Sequence, residues 1–248
     1  MSRLSVLGLS YDNLSRSEAV EIALGLIEER RSAITVTPNS EILLLSRKNP
    51  ALREAIGRAD LTLADGVGVL MASKILGRPL RERVAGIDFA TGLMARLAES
   101  GGSVFLFGAK PGVAERAAGE LGERYPGLRV VGCRNGYFTP DENEAIVREI
   151  NDAGPDLLLV CLGSPKQELW MAENAEALRT GLMAGLGGAL DVFAGLVPRA
   201  PERWQRLGLE WLYRLVREPK RFTRVLRLPG VLFAAIWERI RGSDHEQG

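Results

Sequence analysis

The sequence predicts an α/β fold: a mostly parallel sheet with helices on both faces, followed by a C-terminal helical appendage. Three observations predict it. Short apolar runs alternate with longer stretches of helical periodicity through most of the 248 residues, the order from which parallel sheets are built. Helix-start signals stand where the periodicity begins. The alternation stops near residue 195, and from Pro201 onward the pattern is helical only, broken by Pro219 and Pro229.

Taken in order, Ser17 precedes the helical pattern Ser17–Glu29, whose Ala19, Val20, Ala23, Leu24 and Ile27 share one face. Ala33–Thr37 reads as a strand, followed by helical patterns at Ser40–Lys48 and Pro50–Ala59. A second strand, Leu61–Ala64, precedes Val67–Leu76 and Asp88–Ser100. Strand Val104–Phe107 leads to helix Val113–Tyr125, and strand Arg129–Val131 leads to helix Asp141–Ala153. That helix is announced by Thr139-Pro140-Asp141-Glu142, a capping residue, a proline at the first helical position and acids in the first turn. Strand Leu157–Leu162, helix Gln167–Leu178 and strand Leu182–Leu186 complete the series. The expected organisation is a core over residues 1–195 and an appendage over 196–248. No internal repeat or low-complexity segment is present.

A chain of this length buries a sizeable core, and 46% hydrophobic with 25% charged residues is ordinary for a globular protein. The net charge of +1 hides an asymmetry. Residues 199–241 carry eleven Arg/Lys against four Asp/Glu, a balance of +7, whereas residues 1–198 carry 21 against 25, a balance of −4. Met1–Leu9 lacks the sections of a secretory signal, and no run reaches the roughly 18 apolar residues of a spanning helix. A soluble or peripheral protein is expected. Cys133 and Cys161 lie in apolar runs and read as buried small hydrophobes, without metal-ligand spacing. The one histidine, His245, stands in the polar tail, which disfavours histidine catalysis and histidine-ligated zinc.

Ligands of open parallel sheets bind beyond the carboxyl ends of the strands. Five predicted strand ends carry polar or glycine-rich segments, all on one edge: Thr37-Pro38-Asn39-Ser40-Glu41, Asp65-Gly66-Val67-Gly68, Gly108-Ala109-Lys110-Pro111-Gly112, Gly163-Ser164-Pro165-Lys166-Gln167-Glu168 and Gly187-Gly188-Ala189-Leu190-Asp191. Each has two readings. Asp65 is a turn or cap residue, or a functional carboxylate. Thr37 and Asn39 either cap the next helix or face a ligand. Gly108 to Gly112 either makes a tight turn or offers backbone amides at a helix N-terminus to an anion. Gln167 either caps or hydrogen-bonds phosphate, sugar or base.

Gly185-Leu186-Gly187-Gly188 partly matches a dinucleotide fingerprint, but no strand-ending acid follows about 20 residues later, so an NAD-dependent enzyme is the weaker alternative. No Asp-x-Asp motif or carboxylate/histidine cluster indicates a divalent cation, and no Gly-x-x-x-x-Gly-Lys-Ser/Thr indicates a P-loop. Neither metal nor cofactor is expected. A departing phosphate would then be stabilised by amides, a helix dipole and basic side chains.

Together with Arg81-Glu82-Arg83-Val84-Ala85-Gly86-Ile87-Asp88, Asp191-Val192-Phe193-Ala194-Gly195, Arg199-Ala200-Pro201, Leu207 to Leu215 and Glu218-Pro219-Lys220-Arg221, these segments form an ordered set from about residue 3 to residue 240. In that order they resemble the WecG/TagA/CpsF family, glycosyltransferase family 26. The resemblance implies a Rossmann-like core and an inverting transfer of N-acetylmannosamine, its uronate or a related sugar from UDP. The implied acceptor is undecaprenyl-diphosphate-linked N-acetylglucosamine, in the assembly of wall teichoic acid, enterobacterial common antigen or similar polymers. Inversion needs a base for the acceptor hydroxyl, and Asp65 matches the family's strand-end aspartate. Thr37, assigned with it to catalysis, and Asn39 would orient sugar or acceptor. Gln167 would contact the donor, Asp191 would accept from uracil or ribose, and Arg83, in a loop or helix start, would steady the reacting groups. Gly108 and Lys110 belong to the anion-binding loop.

In the appendage Arg214, Arg217, Arg221 and Arg224 recur at helical spacing among bulky apolar residues such as Trp211, Phe222, Phe233 and Trp237. This reads as an amphipathic hairpin on the core. With the resemblance it reads also as a lid that docks on anionic lipid, with Arg214, Arg221 and Arg224 on the acceptor diphosphate. The protein is then cytoplasmic and peripheral at the inner membrane face. A non-catalytic scaffold of a polysaccharide assembly complex is the alternative from another class. Nucleic acid is disfavoured by the slightly acidic core and the lack of interleaved stacking aromatics. An appendage that covers apolar core surface is compatible with a homo-oligomer.

Overall fold

The computed structural model describes residues 2–201, 203–204, 212–213 and 227–245. Among them the strands are β1 (Arg3–Val6), β2 (Leu9–Asp12) and, from the predicted apolar runs, β3 (Ala33–Val36), β4 (Leu61–Thr62), β5 (Ser103–Gly108), β6 (Arg129–Arg134), β7 (Leu157–Cys161) and β8 (Leu182–Gly185). The periodic stretches become helices α1 (Arg16–Glu28), α2 (Ser40–Ser46), α3 (Pro50–Gly57), α4 (Val67–Ile75), α5 (Gly86–Glu99), α6 (Val113–Arg124), α7 (Asn143–Ala153), α8 (Lys166–Asn174), α9 (Ala189–Phe193) and α10 (Arg227–His245). Strands β1 and β2 form an antiparallel hairpin, while the other six make one sheet in the order β4-β3-β8-β7-β5-β6 with every pairing parallel. The predicted Rossmann-like α/β class and the C-terminal helix are both present.

Successive strand residues point to opposite faces, and the core divides accordingly. Leu157, Leu159, Val104, Leu106, Leu182 and Ala184 pack on one side with α1, α5, α6 and α9. Their neighbours Leu158, Val160, Phe105, Phe107 and Met183 pack on the other with residues of α2, α3, α4, α7, α8 and α10. This two-sided burial is why the strand sequences read as continuous apolar runs.

Several boundaries differ from the sequence reading. α1 starts before Ser17 because Ser15 is its cap. Ser15 Oγ accepts from the Glu18 amide at 3.3 Å, and Glu18 accepts from the Ser15 amide at 2.7 Å. The reciprocal box requires an acid three residues on, which Ser15 has and Ser17 lacks. Thr139 and Glu142 form such a box too, but over a 3₁₀ turn, Pro140–Glu142, so that α7 begins at Asn143. β6 runs on to Arg134 because β5 continues beside it, with Phe107 opposite Arg134 after a register shift. Cys133 is therefore on an edge strand and only half-buried, which corrects its assignment to the interior, whereas Cys161 is buried as expected. The first hairpin and α9 have no counterpart in the sequence reading.

At the amino edge of the sheet, Asp156 holds β5 in place. Its Oδ2 accepts from both the amide and the hydroxyl of Ser103, each at 2.7 Å, and its Oδ1 pairs with Arg30. Replacing it leaves the buried Ser103 amide without a partner. Asp156→Ala should therefore lower unfolding free energy by about 1.5–3 kcal/mol, read from urea denaturation followed by circular dichroism. An unchanged midpoint would show that β5 is held by packing alone.

Candidate functional site

The position of the site follows from which way each connection leaves the sheet. β8 is central, between β3 and β7. Its connection turns toward α9 on one face, whereas β3 and β7 lead to α2 and α8 on the other. Adjacent strands whose connections diverge leave a crevice at the carboxyl edge, where open α/β sheets bind ligands. Thr37, Gln167 and the segment Gly185 to Gly188 border that crevice.

Thr37 is buried, and its Oγ1 donates to the Gly185 carbonyl at 3.3 Å. Asn39 does cap α2, its Oδ1 accepting from the Glu41 and Ile42 amides at 2.9 and 3.1 Å. Asp65, by contrast, does not cap α4, which begins after Gly66 without a side-chain cap. Its Oδ2 faces across to the start of α5 and accepts from the Gly86 amide at 3.5 Å, the outer limit of such a bond. Gly86 is the point where these groups meet. A Cβ there would stand 2.9 Å from Thr37 Oγ1 and 3.1 Å from Leu186 Cδ2. Asn39 lies on the far side of Asp65, its Cβ 3.7 Å from the position of a Cβ on Gly66.

Gln167 reaches the same place from beneath. Its Oε1 accepts from the Gly187 amide at 2.8 Å and the Gly163 amide at 3.2 Å, joining the loops after β8 and β7. Its Nε2 donates to Glu168 Oε1 at 2.9 Å and lies 3.1 Å from where a Gly185 Cβ would be. Thr37 and Gln167 thus converge on opposite sides of Gly185, and Thr37 and Asp65 converge at Gly86. The three side chains, distant in sequence, border one crevice.

Glu168 received no role from the sequence, although it was read within the segment after β7. It is 2% exposed, Oε1 takes the Gln167 hydrogen bond, and Oε2 has no hydrogen-bond partner. Burial holds its carboxyl above the usual carboxylate range, against the lowering influence of Gln167, Ser164 and its own amide. The Ser164 hydroxyl is a weak neighbouring donor, outside the geometry of a well-formed hydrogen bond. A signal was available: Gln167, Glu168, Trp170, Met171 and Asn174 all fall on the buried face of α8.

The other predicted positions lie around this centre. Gly108 is buried where β5 passes β7, a Cβ there falling 2.3 Å from the Cys161 carbonyl oxygen, and Lys110 stands exposed in the turn before α6. Asp191 is half-buried in α9, with Oδ2 3.6 Å from a Cβ placed on Gly188. Arg83 is half-buried in the loop before α5 rather than in a helix start. Arg214, Arg221 and Arg224 lie outside the described residues. Cys161, at the end of β7, is no nucleophile: burial pushes its thiol up to about 12.

An α/β chain with a polar crevice at the carboxyl edge of its central strands has the architecture of a nucleotide-binding enzyme. Residues 4–245, nearly the whole chain, match the Glycosyl transferase WecG/TagA/CpsF family, and the chain belongs to it. It is thereby a glycosyltransferase of cell-surface polymer synthesis, which acts on a nucleotide-sugar donor and an acceptor.

The Glu168 environment has a measurable consequence for stability. A carboxyl whose folded value is raised stabilises the fold fully only below its unfolded value, and that contribution is lost as pH rises toward the folded value. Glu168→Gln does not titrate. Native protein should therefore lose thermal midpoint relative to Glu168→Gln as pH rises from about 4.5, measured by calorimetry. A constant difference between the two would mean that Glu168 titrates normally.

Proposed function

We propose that this chain is an inverting, metal-independent transferase. It moves N-acetylmannosamine or a related sugar from UDP to undecaprenyl-diphosphate-linked N-acetylglucosamine. The observation that carries the reading is the convergence of Asp65, Thr37 and Gln167 at the crevice beside β8. Asp65 takes the proton of the acceptor hydroxyl as its oxygen attacks the anomeric carbon. The bond from that carbon to the UDP oxygen breaks on the opposite side, and its electron pair leaves with the diphosphate. Attack from the face opposite the leaving group gives inversion.

Thr37 and Asn39 orient the sugar or the acceptor within this scheme. Charge on the departing diphosphate is met by the amides at the start of α6, by Lys110 and by Arg83, while Arg214, Arg221 and Arg224 hold the acceptor diphosphate. Asp191 accepts from the uracil or ribose. Gln167 touches the donor from a position already fixed by three internal hydrogen bonds, so it is preorganised rather than induced. Asp65→Asn should reduce turnover by about 10²–10⁴-fold, assayed as UDP release with a soluble polyprenyl-diphosphate acceptor. Near-native turnover would remove Asp65 as the base.

The same proposal makes residues 196–248 the part that meets the membrane. No described helix is long and apolar enough to cross a membrane, so α10 would lie on its surface. One face of α10 is docked: Val231 and Ala235 are fully buried, and Arg239 donates to the Ile75 carbonyl at 2.8 Å. The other carries Phe233, Ile236, Trp237 and Ile240, all exposed, at helical spacing. Arg241 lies 3.6 Å over the Trp237 ring. Burying one large apolar side chain is worth roughly 1.5–3 kcal/mol, more than a factor of ten in affinity. Phe233→Glu with Trp237→Glu should weaken sedimentation with anionic vesicles at least about tenfold while UDP binding persists. Undiminished sedimentation would detach α10 from that role.

A further inference from the structure

The sugar-transfer scheme uses one carboxyl, Asp65, and leaves a second, Glu168, buried directly behind the crevice. The constraint on Glu168 comes from the amide beside it. The two ends of a glutamine amide are alike in shape and opposite in hydrogen bonding. Gln167 Oε1 is where two N–H donors point, those of Gly163 and Gly187. Turned over, the amide would set its own N–H groups against those donors and break both bonds. Glu168 Oε1 fixes the productive orientation by accepting from Nε2 at 2.9 Å.

What the carboxyl lacks is equally telling. Among the described residues its carboxyl has no ion pair and one well-formed hydrogen bond, from Gln167, with the Ser164 hydroxyl and its own amide as weaker neighbouring donors. α8 packs on α3 and on β3, β7 and β8, and hydrogen-bonds to Asn143 of α7, whose charged residues Glu144, Arg148, Glu149 and Asp152 are all exposed. Those strands carry no ionisable side chain except Cys161, and the charged residues of α3, Arg53 and Glu54, are exposed. An ionised Glu168 would be a buried charge with no counter-ion, which folded proteins avoid by neutralising the group. Oε2 and the nearby Ser164 Oγ are both buried without partners. As they stand they do not hydrogen-bond to each other; a side-chain rotation that let a protonated Oε2 donate to Ser164 Oγ would satisfy both.

We propose that Glu168 is a positioning residue for the transfer reaction, acting as an uncharged carboxylic acid that locks the Gln167 amide. Through that amide it sets the spacing between the loops after β7 and β8. The loop after β8 continues the strand whose Gly185 carbonyl receives Thr37, so the lock extends to the crevice wall. Burial displaces the Glu168 carboxyl in the direction of the uncharged form.

The kinetic part rests on the transferase reading above; the protonation part does not. Infrared difference spectra of native protein against Glu168→Gln, at neutral pH, should show the loss of a protonated carboxylic acid band. Loss of carboxylate bands instead overturns the proposal. In the transfer assay Glu168→Ala should lower kcat about 10²-fold, the scale of a displaced reacting group, with KM for the nucleotide sugar little changed. Glu168→Gln, which keeps an acceptor toward Gln167 and a donor toward Ser164, should restore most of that loss. Equal impairment of both variants, or native kcat in Glu168→Ala, overturns the positioning role. Should Glu168→Ala fail to fold, the infrared result and the Gln kinetics decide. If native protein itself transfers no sugar, the transferase reading fails while the infrared test still stands.

Discussion

The geometry of the crevice depends on one missing side chain. At Gly185, the last residue of β8, a Cβ would stand 2.8 Å from Met171 Cε and 3.1 Å from Gln167 Nε2. The methionine end can swing away, but Gln167 is held by three hydrogen bonds and has nowhere to go. A bare backbone at that point lets α8 press its polar residues against the central strand. Thr37 reaches the carbonyl of the same residue from the other neighbour, β3. Gly86 repeats the device at the start of α5, where the absent Cβ leaves room for Thr37 Oγ1. Close backbone approach, rather than any single side chain, brings the three strand ends together.

This arrangement separates two carboxyls that the sequence presents alike. Asp65 stands half-exposed at the start of a loop, near a backbone amide. Glu168 is sealed behind the crevice among apolar residues of α8 and the sheet. Environment, not residue type, sets a carboxyl's proton affinity, and burial pushes that of Glu168 up. On the proposed reading the first takes a proton during the reaction and the second keeps its proton throughout.

Much of this was legible in the sequence because the sheet is buried on both faces. Runs such as Leu157–Cys161 must then be wholly apolar, and whatever polar residues follow them must stand on the carboxyl edge. That logic located Thr37, Asp65 and Gln167 without coordinates. It could not say what each touches. Asn39 caps and Asp65 does not, though both follow strands and precede helices; the difference lies in Gly86, which is 21 residues from Asp65 in the chain and adjacent in space. The hairpin of β1 and β2 escaped notice because its strands, Arg3-Leu4-Ser5-Val6 and Leu9-Ser10-Tyr11-Asp12, interleave polar with apolar residues and so do not stand out as apolar runs. Glu168 was passed over for a different reason. A charged residue at a helix start is ordinarily a solvated one, and only tertiary packing shows that this one is inside.

The position of α10 links the crevice to the proposed membrane face. α10 packs on α2 and α4, two of the helices that begin at the crevice. α2 is capped by Asn39, and α4 starts from Gly66, the residue after Asp65. A surface that holds a lipid-linked acceptor must present its sugar to the base at a fixed depth, and a few tenths of a nanometre of error would forfeit most of the rate. With α10 on the membrane as proposed, docking it on the helices that follow Asn39 and Asp65 would give that depth a rigid reference. Val231 and Ala235, small and fully buried, allow the close helix packing this requires, and the outward Phe233 and Trp237 would then set how far the whole assembly sinks into the lipid.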